Sequence, residues 1–143
     1  MTSFIKFNSR GFWVNDSVMQ FVLAYLLCFL KEDKFFKTKV GFLDRIYENS
    51  IGTYASFMHL KIDTYLSEIE CQQFCLKLLS IVFKLNNSET KEVHLNELCN
   101  YSDYKSIEYY LPKAMEKEIL ISHLLKLAYL FEECLQPPKG TGV

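Results

Sequence analysis

Between Val18 and Leu30 only Gln20 is polar, and the ten positions from Phe21 to Leu30 are apolar without a gap. A helix with no polar face cannot lie on a water-facing surface, so it needs protein against most of its circumference or it needs lipid. At about 1.5 Å per residue the run covers roughly 20 Å, short of the ~30 Å hydrocarbon layer that about 20 apolar residues would span, which makes lipid the weaker reading. Lys31-Glu32-Asp33-Lys34 then stops the run abruptly. The segment reads as the core of an all-α protein, a single-domain bundle of about five helices around a buried central helix, with a short extended N-terminal lead-in. Lys6 and Arg10 precede the apolar run as in a signal peptide, but no small-residue cleavage pattern follows, so the N-terminus is expected to be retained.

The other elements are placed by period and punctuation. Phe4-Ile5-Lys6-Phe7 is too short to class by period and leads into the turn-like Asn8-Ser9-Arg10-Gly11. The first helix starts either at Asn15 as cap, with Val14 stapled to Met19, or at Ser17 with Gln20 as a capping box. Trp13 stands just before this start and is expected to pack over the first turn. Phe35 to Ser50 forms a second helix, with Val40, Leu43, Ile46 and Tyr47 inward and Lys37, Lys39 and Arg45 making its solvent side basic. Residues 51–66 break the pattern and read as a crossing loop or a short extended piece. Ser67 and Glu70 form a capping box for a third helix to about Leu85, with Ile69, Phe74, Leu78, Val82 and Leu85, joined by Cys75, Leu79 and Phe83, on a broad apolar face expected to pack on the first helix. Val93 to Cys99 can form two helical turns with Leu95 and Leu98 inward. Pro112 marks the start of a closing helix striped by Leu120, Leu124, Leu127, Phe131 and Leu135, and residues 136–143 form a loose tail.

Composition narrows the function classes. The net charge of -1 lacks the basic excess that gives nucleic-acid binders most of their affinity, so no direct nucleic-acid partner is expected. Residues 1–50 carry seven Lys/Arg against five Asp/Glu, while 51–143 carry nine against twelve, so a basic partner would prefer the second part. Five cysteines, Cys28, Cys71, Cys75, Cys99 and Cys134, are an odd number, four of them inside helical patterns; this suits reduced, buried thiols in a cytoplasmic protein.

No catalytic signature is visible. Cys71 and Cys75 lie one turn apart and could share a metal, but His59, His94 and His123 are scattered and none has structural-zinc spacing, so no metal and no cofactor are expected. No Gly-rich phosphate loop, H-E-x-x-H or G-x-S-x-G pattern occurs, and the chain is not expected to be an enzyme. A binding surface remains. Tyr101 to Tyr110 holds four tyrosines and two carboxylates against one base, with Glu89, Glu92 and Glu97 upstream. Tyr101, Asp103, Tyr104, Glu108, Tyr109 and Glu97 are the candidate partner-binding residues: tyrosine gives contact area at small entropy cost, and the carboxylates can meet Arg or Lys on a partner. The competing reading packs Tyr104 and Tyr109 inward and leaves the charges merely solvated.

Gly11-Phe12-Trp13-Val14-Asn15-Asp16 leading into an apolar helix, Leu66-Ser67-Glu68-Ile69-Glu70 opening another, and the leucine-striped closing helix together resemble small bacterial immunity proteins. These are cytosolic antidotes of polymorphic and contact-dependent growth-inhibition toxins. The resemblance implies a non-enzymatic protein that binds one cognate toxin domain, often a nuclease and hence basic, and occludes its active site. It fixes no individual residue's role. The other reading is a helical binding or regulatory module of a different system, such as a phage or adaptor protein, with the same surface and another partner.

Overall fold

The computed structural model describes residues 2–52, 58–99, 101–105 and 111–135. Its first element corrects the all-α expectation. β1 (Thr2–Phe7) and β2 (Arg10–Asn15) form an antiparallel hairpin, with Phe7 opposite Arg10 across a two-residue loop. Asn8 in that loop takes φ +55°, a left-handed value that Asn tolerates better than most residues. Four residues of β1 are too few to show a period of two; the alternation becomes visible only when both strands are laid across the turn. Ser3, Ile5 and Val14 are buried and Phe7 and Phe12 half-buried on one face, while Phe4 and Trp13 face out on the other.

α1 (Asp16–Leu30) is capped by Asn15, whose Oδ1 accepts from the Val18 amide at 3.2 Å and the Ser17 hydroxyl at 2.6 Å. Met19, Phe21 to Ala24, Leu26, Leu27 and Leu30 are buried, whereas Tyr25, Cys28 and Phe29 form a half-covered strip. Ser3 is fully buried and polar, and it is satisfied on both sides: its hydroxyl donates to Asp16 at 2.6 Å and accepts the Met58 amide at 3.1 Å. This pair of bonds fixes the hairpin to the start of α1 and to the 58–60 segment.

The second predicted helix divides into a 3-10 turn (Phe36–Thr38) and α2 (Val40–Ser50), which packs along α1. Its solvent face is not basic. Arg45 is buried, its Nε donating to the His59 carbonyl at 2.7 Å, and Asn49 exchanges hydrogen bonds with His59, so both hold the chain after the crossing segment. Lys39 pairs with Glu70. The exposed positions of α2 are Val40, Gly41, Asp44 and Glu48, so Val40 does not face the core. Of residues 51–66, 53–57 lie outside the described residues, 58–60 are irregular and Ile62–Tyr65 form one helical turn, α3.

α4 (Glu68–Asn86) has the predicted capping box, with Ser67 and Glu70 bonded reciprocally at 2.9 and 3.3 Å. It packs along α5 (Lys117–Phe131) rather than α1, and Ile69, Leu79 and Phe83, expected inward, are exposed. A second sheet interrupts the helical expectation between them. β3 (Glu92–His94) pairs antiparallel with β4 (Ala114–Glu116), Val93 opposite Met115, where two helical turns and the start of the last helix were predicted. The closing helix therefore begins at Lys117, not Pro112, because residues 114–116 are committed to the ladder. The fold is mixed α and β. The predicted tail, 136–143, lies outside the described residues.

Aromatic rings join the layers. Phe74 of α4 meets Phe36, Phe42 and Phe131 with centroids 5.9, 5.2 and 5.3 Å away, and Phe7 of the hairpin lies 4.7 Å from Phe131. At the hairpin end of this stack Arg10, opposite Phe7, donates to the Tyr129 carbonyl at 2.6 Å, pairs with Glu132 and Glu133, and lies over the Tyr129 ring at 4.3 Å. Among the described residues no helix is long and apolar enough to cross a membrane.

Asp33 closes the connection between α1 and α2. One carboxylate oxygen accepts the amides of Phe35 and Phe36 at 2.9 and 3.0 Å, and the other meets Lys77 of α4 at 3.0 Å. Burial acts to raise its pKa, but the two amides and the Lys77 ammonium outweigh burial and hold it below the ordinary carboxylate value. A depressed native pKa means stability that is present above the unfolded value and lost as pH falls through the native one. Asp33→Ala should cost about 1–2 kcal/mol at pH 7, mostly from the two capped amides, and the gap from wild type should close below about pH 4. Urea unfolding at pH 7 and pH 3 measures both; an equal gap at the two values would contradict the assignment.

Candidate partner-binding surface

The chain from Leu95 to Lys113 is an excursion from the base of the β3–β4 ribbon, closed there by the Leu95 amide on the Lys113 carbonyl at 2.7 Å. Its described part is anchored to the core at successive points. Leu95 and Leu98 are buried, as expected, though in a 3-10 turn (Leu95–Glu97) rather than an α-helix. Cys99 is joined to Cys28 of α1 by a disulfide, with Cα atoms 5.4 Å apart. This corrects the expectation of five reduced thiols: Cys71, Cys75 and Cys134 are free and buried, and the other two are paired. The half-covered strip of α1 is where this excursion docks, which is why Cys28 is not sealed inside the helix packing.

A second 3-10 turn, Tyr101–Tyr104, follows. Tyr104 is only 1% exposed; its hydroxyl lies 3.3 Å from that of Ser50, and its ring centroid 6.2 Å from that of Tyr47. Tyr104 thus cannot present its ring to a partner and instead anchors the turn to α2. Tyr101 is half-buried against the core. Asp103 lies between them in sequence and is exposed, and its charge reaches the Tyr47 phenol. Burial, then the Asp103 charge, push the Tyr47 phenol pKa up; for Tyr104 burial dominates, opposed by the Ser50 hydrogen bond and reinforced by Tyr47 and Asp103. Asp44 and Glu48, one turn apart on α2 and flanking Tyr47, are exposed as well. Exposed carboxylates thus stand on both elements that the tyrosine pair ties together, Asp44 and Glu48 on α2 and Asp103 on the turn, and of these Asp103 acts on the two phenols.

The remaining predicted residues do not all join these carboxylates. Glu97 is exposed but lines a separate recess of about 320 Å³ with Tyr25, Lys84 and Val93. Glu108 and Tyr109 lie outside the described residues. Asp44 and Glu48 escaped sequence reasoning because the second helix was assigned a basic solvent face from Lys37, Lys39 and Arg45; the i, i+4 carboxylate pair was the available signal.

Trp13 was also misplaced. It is 66% exposed and lies against Phe4, 43% exposed, with centroids 5.1 Å apart on the outer face of the hairpin. Strand alternation turns Trp13 away from the face that buries Val14, so it cannot cover the first turn of α1. A Cβ at Gly11 would collide with the Phe4 ring, so this glycine makes room for the aromatic pair.

The three histidines stay apart in role: the His59 backbone holds Arg45 and Asn49, His94 pairs with Glu92 at 3.2 Å, and the His123 ring bonds the Ile119 carbonyl. Among the described residues no group of three or more His, Cys, Asp or Glu side chains is placed to hold a metal ion. Burial pushes the Cys71 thiol up to about 12 and the Cys75 thiol to about 11, which makes both poor nucleophiles near neutral pH. Comparison with protein-family models, with curated proteins and with solved structures finds no match.

Proposed function

We propose that this chain is a non-enzymatic inhibitor of the immunity type, which binds a basic bacterial toxin domain, such as a nuclease, and covers its active site. The observation that supports this reading best is exposed Asp103 on a turn that the buried contacts of Tyr104 with Ser50 and Tyr47 tie to α2, whose exposed side carries Asp44. A carboxylate on an anchored turn loses little entropy on binding, and acidic charge is complementary to a site that grips phosphates. The sequence resemblance around Gly11 to Asp16 points to the same class.

Two measurements test it. Co-expression with the product of the gene directly upstream should restore the growth of cells that this product otherwise arrests, and failure to protect against it removes the immunity reading. With the purified pair, Asp103→Lys and Asp44→Lys should each slow association about tenfold at low salt and flatten its salt dependence, with unchanged thermal melts. Wild-type association by both variants places the contact elsewhere, with the exposed Phe4 and Trp13 face next to be mutated.

A further inference from the structure

The hairpin is a two-stranded sheet, so the edge of β2 away from β1 has no strand beside it among the described residues. Phe7 and Arg10 flank the two-residue loop as a hydrogen-bonded pair, and such pairs alternate along an antiparallel ladder. Arg10, Phe12 and Val14 therefore turn their backbone groups toward β1, while Gly11 and Trp13 turn theirs to the open edge, where no hydrogen bond engages them. The devices that commonly blunt an edge are missing: the register runs from Phe7 and Arg10 to Thr2 and Asn15 without a bulge, and β2 holds no proline. A recess of about 530 Å³ lies along this edge, lined by Gly11 and Phe12 but by no residue of β1. α5 forms its other wall over three turns, with Ile121, Leu125 and Tyr129 apolar, Glu118 toward the start of the helix and Lys126 toward its end.

We propose that this edge and recess are a docking site for an extended segment of a partner protein, which adds a third strand to the hairpin beside β2. Backbone chemistry names the occupant: a row of open N–H and C=O groups at strand spacing is matched by another strand. Alternate side chains of that segment enter the recess, and the others lie beside exposed Phe4 and Trp13 on the outer face. Charge specifies the segment further. Glu118 and Lys126 are exposed and have no ion-pair partner in their own chain, whereas Lys117 is engaged by the Ser88 carbonyl at 3.2 Å and Arg10 by Glu132 and Glu133. Eight residues of helix advance about 12 Å, a length that four residues of strand cover at about 3.3 Å each, and strand residues four apart share a face. The matching segment thus carries a basic and an acidic residue four positions apart, with an apolar residue midway for the space between Phe12 and Leu125. This surface shares no residue with the turn that carries Asp103, and the inference does not depend on the immunity reading.

The probe is a blocked peptide, acetyl-Thr-Lys-Val-Leu-Val-Glu-Thr-amide, titrated into the isotope-labelled chain and followed by NMR. It should bind with a midpoint of order 100 µM, shift the resonances of Gly11, Trp13, Leu125 and Tyr129, and slow hydrogen exchange at the Gly11 and Trp13 amides about tenfold. In the free protein these two amides should exchange freely while the ladder protects Phe12 and Val14. Protection of Gly11 and Trp13 before peptide is added overturns the proposal, because the edge is then already occupied by the chain itself or by a second copy. A strand presents alternate N–H groups to opposite sides, so N-methylation of the peptide's Lys, Leu and Glu and N-methylation of its two Val residues should differ, one set abolishing binding and the other sparing it. Lys126→Glu should weaken the peptide about fivefold at low salt with a wild-type melt, and a peptide with Lys in place of its Glu should recover the loss. No binding at about 2 mM peptide, equal effects of the two methylated sets, or a Lys126→Glu variant indifferent to the peptide's charge each overturns the proposal.

Discussion

Leu23→Asp or Leu26→Asp is expected to abolish the folded state. Both leucines are 0% exposed at the centre of α1, where the neighbours Val22, Ala24 and Leu27 are also sealed from water. Removing a buried leucine costs about 2–5 kcal/mol through lost burial and the cavity left behind. The carboxylate then either stays ionised without a partner or is forced to protonate, which adds several kcal/mol more. The sum is comparable with the whole stability of an ordinary domain, about 5–15 kcal/mol. Far-ultraviolet circular dichroism with a urea titration decides it: the wild type should unfold cooperatively and the variants should show no transition. A variant at Leu23 that still unfolds cooperatively near the wild-type midpoint would mean that α1 is not the buried axis of this fold.

The helices of this protein were legible where one short-range rule sufficed. The Asn15 cap, the Ser67 and Glu70 box and the Leu120, Leu124, Leu127 and Phe131 stripe all rest on residues within a few positions of one another. The sheets were not, because each strand takes its meaning from a partner beyond reach of such rules. Val93 is a strand residue by virtue of Met115 opposite it, and Phe4 by virtue of Trp13. Helix faces failed for a related reason: α4 is apolar on two sides, and periodicity marks a stripe as apolar without saying which one the domain covers. Arg45 shows the reverse error, a charged residue assigned to solvent that is buried with a carbonyl to bond. Of the candidate site, Asp103 was found by composition, while Asp44 and Glu48 needed the fold that brings α2 beside the Tyr101–Tyr104 turn.

Reduction of the Cys28–Cys99 disulfide should have the next largest effect, and it acts on the same surface. The bond closes a loop with a sequence separation of 71, from the end of α1 through α2 and α4 to the turn after β3. In the chain-entropy account a loop of that length restricts the unfolded ensemble by about 4 kcal/mol. Cys28→Ser, or wild type with reductant, should therefore melt roughly 10 °C lower than the oxidised protein. Thiol titration in denaturant should find three sulfhydryls in protein purified without reductant and five after reduction; without denaturant few should react, since Cys71, Cys75 and Cys134 are buried and burial raises their pKa. Five thiols in the unreduced protein, with a melt indifferent to reductant, would show the two cysteines to be unpaired. The bond lies four residues before Asp103, and Tyr104 remains as the next anchor on α2. Reduction should consequently loosen the turn that carries Asp103 without freeing it, so that a basic partner of the proposed kind would still associate quickly by charge but leave faster from a surface that is less rigidly held. Binding kinetics of the oxidised and reduced forms below both melting temperatures separate this from simple unfolding: a raised off-rate with an unchanged on-rate is the expected result, and equal off-rates would mean that the disulfide stabilises the fold without supporting the site.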